Sequence, residues 1–333
     1  HFAPHVGGSD AAVFFYTGVS LFFVITGYVF GGYFFGGEIN IGNFLIKRFF
    51  RIYPLFFVSI ILYAILNYFE FHSFSFSHFL LNLVFLQNFF PYARDTYNPA
   101  YWSLPVEVGF YLLVCLTASI RVINVYLIFF LSTVYSLSVK YLFFNGFFNE
   151  QLIITHDVIV HTNNTFFRFF EFICGVFLFG LMRRGTHKKI MPEYFLLTGV
   201  FLWVVMWCIW IFIGGEGALL ARGGLYTVFS YLVPISFSLI LIYFIENEGN
   251  ISSEFRFFSY FMGGVSYGLY LCHTAVLRFF KFVYSDVDVF YIFIYATFLS
   301  FLFAYFLHKF VETYFIQVGR KILLLKSMYS TSG

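Results

Sequence analysis

Several short patterns place groups capable of chemistry inside otherwise lipid-soluble sequence. Trp102-Ser103-Leu104-Pro105-Val106-Glu107-Val108-Gly109-Phe110-Tyr111 sets a carboxylate, Glu107, one turn into a helix of apolar residues. A charge near the bilayer centre costs roughly 3 kcal/mol or more on insertion scales, so such a residue is expected to face a bundle interior or a polar cavity. There it can orient an imidazole, accept a hydrogen bond from a hydroxyl, or pair with an arginine. In Lys47-Arg48-Phe49-Phe50-Arg51, two guanidinium groups three residues apart share one helix face. Each fork can hold phosphate oxygens in a bidentate grip, although a short basic segment also serves topology and lipid headgroups. Arg168-Phe169-Phe170-Glu171 is an i,i+3 pair whose self-neutralisation makes insertion tolerable. Tyr270 and His273 share a face behind the small-residue start Gly263-Gly264, which permits close helix packing. His1 and His5 bracket Phe2-Ala3-Pro4, and imidazole is the usual general base near neutral pH.

The elements that must hold these groups are membrane helices. Of 333 residues, 61% are hydrophobic and only 11% charged, against about 25% charged in soluble domains. Mean hydropathy is +0.84. The 56 Phe and 26 Tyr suit bilayer and interfacial positions and need no catalytic explanation. Cys115, Cys174, Cys208 and Cys272 all fall in apolar runs without paired spacing, so neither a disulfide framework nor a metal site is expected. The net charge of +3 is uninformative about topology, and no nucleic-acid partner is expected.

Apolar stretches at 11–35, 50–71, 104–120, 122–142, 164–182, 192–213, 224–245, 257–283 and 290–311 predict about nine spans, most of the roughly 20 residues that cross a hydrocarbon core. A shorter stretch, 76–91, contains His78, Asn82, Gln87 and Asn88. With 76–91 kept on one side of the membrane, Lys47, Arg48, Arg51, Arg121, Arg183, Arg184, Lys188, Lys189, Arg256, Lys309, Arg320, Lys321 and Lys326 collect in the cytoplasm. If it spanned, Arg121 and the 183–189 cluster would face away from Lys47–Arg51. The stretch is therefore expected to be a re-entrant or interfacial helix. The Lys47–Arg51 loop is then cytoplasmic, and the loops 143–163 and 214–223 are extracytoplasmic. The prediction is an all-α polytopic bundle forming one domain over residues 1–333, without an internal repeat or signal peptide.

In order along the chain, these segments resemble the acyltransferase 3 family of integral membrane acyltransferases. His1-Phe2-Ala3-Pro4 is similar to the end of the family's first helix, where a functional His closes an Arg-ten-residues-His motif. Gly18-Val19-Ser20-Leu21-Phe22-Phe23-Val24-Ile25-Thr26-Gly27-Tyr28 resembles Gly-Val-Asp-Leu-Phe-Phe-Val-x-Ser-Gly-Phe. Arg48 to Leu55, with Tyr53 inside it, resembles the Arg-x-x-Arg-Ile-x-Pro segment associated with the acyl-coenzyme A donor. Trp102-Ser103-Leu104 through Glu107 resembles Trp-Ser-Leu-x-Val-Glu. Arg168 to Gly175 resembles Arg-x-x-Glu-Phe-x-x-Gly, and Ser266 to His273 resembles Ser-Tyr-x-Leu-Tyr-Leu-x-His. Lys309-Phe310-Val311-Glu312 is similar to the closing Tyr-Arg-x-x-Glu-x-Pro. Ser20 replaces a frequent Asp, and Tyr314 replaces the usual Pro after Glu312. The upstream Arg would precede His1, so the chain is expected to lack most of a first helix. Restoring it gives ten spans.

The resemblance implies transfer of an acyl group, most often acetyl, from cytoplasmic acyl-coenzyme A to a hydroxyl of a sugar or glycolipid at the cell surface. It implies a bacterial inner-membrane location, with acetyl-coenzyme A as a substrate rather than a resident cofactor. His1 and Glu107 are the expected catalytic residues, and Arg48, Arg51 and Tyr53 the expected donor site. Trp102, Ser103, Arg168, Glu171, Tyr270, His273 and Glu312 are further polar-site candidates. The alternative is a transporter or flippase of lipid-linked saccharides, since intramembrane charges and broken helices suit that class too.

Overall fold

The computed structural model describes residues 13–35, 39–72, 74–94, 96–117, 125–144, 165–185, 190–283 and 289–330. Among them the structure is helical, with no strand. Its helices are α1 (Gly18–Phe34), α2 (Ile41–Phe71), α3 (Phe76–Leu83), α4 (Pro91–Arg94), α5 (Ser103–Thr117), α6 (Val125–Phe144) and α7 (Thr165–Arg184). There follow α8 (Pro192–Ile213), α9 (Gly215–Leu220), α10 (Gly223–Glu246), α11 (Ser253–Val283), α12 (Val289–Leu307) and α13 (Thr313–Ser330).

Among the described residues, eight helical stretches are long and apolar enough to cross a membrane. They are Phe14–Phe34, Ile41–Phe71, Pro99–Thr117, Tyr126–Phe144, Thr165–Arg184, Pro192–Ile213, Gly223–Glu246 and Tyr291–Met328. The protein is an integral membrane protein with an all-α polytopic architecture. Its outward side chains are apolar, as hydrocarbon requires: Phe212 on α8 is 92% exposed.

The remaining expected span, 257–283, lies in the 31-residue helix α11. Its length of roughly 46 Å is ample, but Tyr267, Tyr270, His273 and Thr274 keep it less apolar than the other eight. Two expected loops are helical instead. Lys47–Arg51 lies inside α2, because the Asn40 side chain caps an earlier start by accepting from the Asn43 amide at 3.0 Å. Within 214–223, Gly214 at φ +89° breaks α8 and the chain turns at once into α9. The stretch 76–91 breaks into α3, a short 3-10 turn at Gln87–Phe89 and the start of α4. Its longest helix has 8 residues, about 12 Å, which is too short to span.

The chain forms two compact units, each assembled from separated segments. One, among the described residues, comprises 39–102 and 252–330 and thus contains α2–α4 and α11–α13. In it, α11 packs on α12, and α13 packs back along α2. A π-turn at His308–Glu312 joins α12 to α13.

The other unit comprises residues 7–38 and 103–251, holding α1 and α5–α10. Its tightest pairing is α1 on α7. A Cβ on Gly27 would strike the Phe172 carbonyl, and one on Gly175 would strike the Val24 carbonyl and the Tyr28 amide. Only glycine allows backbones this close. That approach sets Ser20 of α1 beside Glu171 of α7.

Candidate functional site

In the first unit, Arg48 and Arg51 stand on the N-terminal third of α2. Phe44 places its ring 5.6 Å from the Arg48 guanidinium, a cation–π distance. Tyr53 is stacked between Phe49 at 4.8 Å and Phe57 at 6.5 Å, so its ring belongs to an aromatic column on the helix surface. Lys326 of α13 donates to Asn43 Oδ1 at 3.3 Å, and Gly319 lies flush against Phe50. The two helices therefore run antiparallel, bringing the basic residues Arg320, Lys321 and Lys326 to the same end as Lys47, Arg48 and Arg51. Spacing within either segment alone could not reveal that meeting.

Between Gln87 and Trp102 the chain runs through short helical turns and non-helical links that side chains strap to α2 and α11. Asn88 Nδ2 donates to the Trp102 carbonyl at 2.7 Å, and Gln87 Nε2 to that of Tyr101 at 3.3 Å. Tyr270 donates to the Ala100 carbonyl. Asn98 Nδ2 donates to Leu271 O at 3.1 Å, while its Oδ1 accepts from Ala100 N and Thr274 Oγ1, each at 2.9 Å. Arg278 pairs with Glu70 and donates to Asn67 Oδ1 at 2.6 Å and to Tyr97 O at 3.3 Å. Burial raises the pKa of the Tyr97 phenol in this strap. Such bonds satisfy backbone polar groups that a lipid surrounding would leave without partners. Asn98, Thr274 and the Arg278–Glu70 pair escaped sequence reasoning because their partners lie 170 or more residues away.

Tyr270 and His273 project from the same stretch of α11, ring centres 6.4 Å apart. His273 Nδ1 lies 3.0 Å from both the Leu269 and Tyr270 carbonyls. Carbonyls only accept, so Nδ1 carries the proton. Trp102 is buried at the end of the strap. Glu312 is buried and takes His308 Nδ1 at 3.0 Å, whereas Lys309 lies over the Tyr305 and Phe310 rings.

In the second unit, Glu107 is buried on α5 and accepts from the Tyr111 hydroxyl one turn on. Gly109 on the same helix meets Thr165 of α7 so closely that a Cβ would collide with its side chain. Ser103 is buried at the start of α5. Arg168 Nη1 donates to Glu171 Oε1 at 2.7 Å, and Ser20 Oγ donates to the same oxygen at 3.2 Å. The Arg168–Glu171 pair expected from spacing is thus formed, with a third partner from α1. His1 and His5 lie outside the described residues, so the position of the expected base is not described.

A family model for an acyltransferase domain, acyltransferase 3, matches residues 1–309. The chain belongs to the acyltransferase 3 family. No curated protein and no solved structure matches the chain. As a member of this family the protein is a membrane acyltransferase. The match ends at 309, so α13 and its basic residues are additional to the matched region.

Proposed function

We propose that this acyltransferase moves an acetyl group from cytoplasmic acyl-coenzyme A to a hydroxyl of a cell-surface sugar, lipid-linked or polymeric, in a bacterial inner membrane. The observation that carries the donor half is the convergence of α2 and α13. Two helices set Lys47, Arg48, Arg51, Arg320, Lys321 and Lys326 at one end of the first unit, without a carboxylate in either basic segment. Phosphates of a nucleotide thioester are the natural counter-charge, since arginine forks bind their oxygens bidentately. The acceptor half rests on the family membership and on the buried polar groups of the second unit.

Chemically, the acceptor oxygen attacks the thioester carbonyl, forming the C–O ester bond as the C–S bond breaks. The hydroxyl proton passes to a base and then to the departing thiolate, which leaves as coenzyme A. His1 is the assigned base, and Glu107, held by Tyr111, supports the polar site. A base contributes typically about 10²–10⁴-fold to such steps.

The test is direct. Protein in lipid nanodiscs, given [14C]acetyl-coenzyme A and membranes from a strain lacking the gene, is expected to release coenzyme A and label a glycan fraction. Failure to consume acetyl- or longer acyl-coenzyme A under any acceptor condition overturns the donor assignment. Label appearing in protein or lipid amines alone overturns the acceptor assignment.

A further inference from the structure

The helix that carries Trp102, Ser103 and Glu107 starts one turn before α5. A 3-10 turn at Pro99–Trp102 leads without a break into Ser103–Thr117, so Pro99–Thr117 is one helical stretch of 19 residues. Asn98 stands immediately before it. Its Oδ1 accepts from the Ala100 amide at 2.9 Å, and its carbonyl accepts from the Tyr101 amide at 2.9 Å. That is how an N-cap residue starts a helix. Pro99 follows at the first helical position, where a missing N–H costs nothing and φ is already set.

The same side chain is committed a second time. Asn98 is fully buried. Its Nδ2 donates to the Leu271 carbonyl of α11 at 3.1 Å, and its Oδ1 also takes the Thr274 hydroxyl at 2.9 Å. Tyr63 of α2, fully buried as well, donates to that Leu271 carbonyl at 3.2 Å and meets the Thr274 hydroxyl. One amide therefore caps the helix and ties its first turn to α11, with α2 bonded to the same two residues. The next three residues with carbonyls in the turn are held too: Ala100 by Tyr270, Tyr101 by Gln87 and Trp102 by Asn88.

A cap alone needs only an acceptor, which serine or aspartate supplies equally. The tie to Leu271 needs a donor on the same short side chain, and an amide carries both. A helix tied at its first turn is fixed in rotation, since a slip of one residue swings every side chain by about 100° around the axis.

We propose that Asn98 is a positioning residue of the acyl-transfer reaction, setting through the helix that it caps the direction in which Trp102, Ser103 and Glu107 point. It has no exposed surface to offer a substrate, so it acts only through those residues. The assignment rests on the acyl-transfer reading above, in which Glu107 supports the reaction, and adds the group that aims it.

The experiment reads local order apart from turnover. The full chain in nanodiscs is followed by hydrogen exchange over residues 98–107 and over α8, and by kcat and donor KM for acetyl-coenzyme A. Asn98→Ala removes both the cap and the tie. Its 98–107 amides are expected to exchange about fivefold or more faster, with α8 unchanged. Misplaced groups lose catalysis steeply, so its kcat is expected to fall about tenfold or more while donor KM stays within about twofold. Asn98→Ser keeps the cap without the tie, and is expected to recover slow exchange but only part of kcat. Faster exchange at 98–107 with kcat unchanged overturns the positioning role and leaves a plain cap. Unchanged exchange in Asn98→Ala overturns the joint itself, and faster exchange in α8 as well would make any loss of kcat one of general stability and overturn the proposal. Should Asn98→Ala fail to fold, Asn98→Ser carries the test, and a kcat equal to wild type overturns the proposal. If wild type consumes no acyl-coenzyme A, the transfer reading fails and the positioning role with it, while exchange still shows whether Asn98 holds the helix.

Discussion

The Lys326 ammonium lies 3.3 Å from the Asn43 side-chain oxygen, at the N-terminal turn of α2. A helix N-terminus is the positive end of its dipole, and Lys47, Arg48 and Arg51 follow within the next turns. Lys326 thus adds positive charge where it is already concentrated, which is costly unless an anion shares the site. Arg51→Ala is expected to weaken coenzyme A binding about tenfold or more, since charge-assisted contacts are worth about 1.5–3 kcal/mol. Lys326→Ala and Arg320→Ala, at exposed positions, are expected to cost about two- to fivefold, with binding by all variants less sensitive to salt than wild type. Isothermal titration at two ionic strengths checks this. Unchanged affinity in Arg51→Ala at normal expression would reduce the cluster to a topology signal.

Turnover separates the two assigned catalytic residues. His1→Ala is expected to abolish transfer with donor binding intact, whereas His5→Ala is expected to retain it. Glu107→Gln is expected to lower kcat. Tyr111→Phe removes the hydroxyl that Glu107 accepts from, and is expected to lower kcat less, with little change in KM for the donor. The reverse order for the two histidines would move the base from His1 to His5.

Much of this architecture was legible because hydrophobicity is local. Runs such as 192–213 and 224–245 needed only their own residues to read as spans, and their helices begin and end within a few residues of those bounds. The distribution of Lys and Arg kept 76–91 on one side of the membrane, and its Asn82, Gln87 and Asn88 side chains are buried. Helical spacing also gave the Arg168–Glu171 pair. What spacing could not give was any partner from another helix: Ser20 on Glu171, Tyr270 on the Ala100 carbonyl, Arg278 on Glu70, Lys326 on Asn43. The start of α2 was misplaced for a related reason. The basic residues 47–51 looked like a loop, while the cap at Asn40 that extends the helix is a single hydrogen bond.

The glycine contact between α1 and α7 is expected to control the packing beside it. A Cβ at Gly175 meets the backbone of Val24 and Tyr28, which cannot rotate away as a side chain could. Gly175→Ala is expected to destabilise the protein by roughly 1–3 kcal/mol, the usual cost of overpacking, and to separate Ser20 from Glu171. Gly18→Ala is the control, because nothing lies within 4 Å of its added Cβ. Thermal unfolding in detergent, followed by tryptophan fluorescence, is expected to show a lower midpoint for Gly175→Ala than for Gly18→Ala. Equal midpoints would mean the helices can separate without cost.

Glu216 makes stability depend on pH in a defined sense. Desolvation holds its carboxyl above the ordinary glutamate range, with the Arg168 guanidinium pulling the other way. Protonation is therefore favoured by folding. This contribution is fully present below the unfolded glutamate pKa of about 4.3, and it is lost as pH rises through the higher folded value. Arg168 and Glu171 from α7, Tyr16 before α1 and Tyr226 from α10 line one small cavity with Glu216, and all are retained in Glu216→Gln. Comparing that variant with wild type therefore isolates the one carboxyl. The midpoint of wild type minus that of Glu216→Gln is expected to fall as pH is raised from about 4 to about 8, because only wild type carries a carboxyl whose ionisation the fold disfavours. A difference that rises with pH would mean that Arg168 outweighs desolvation and that the Glu216 carboxylate is stabilised where it stands.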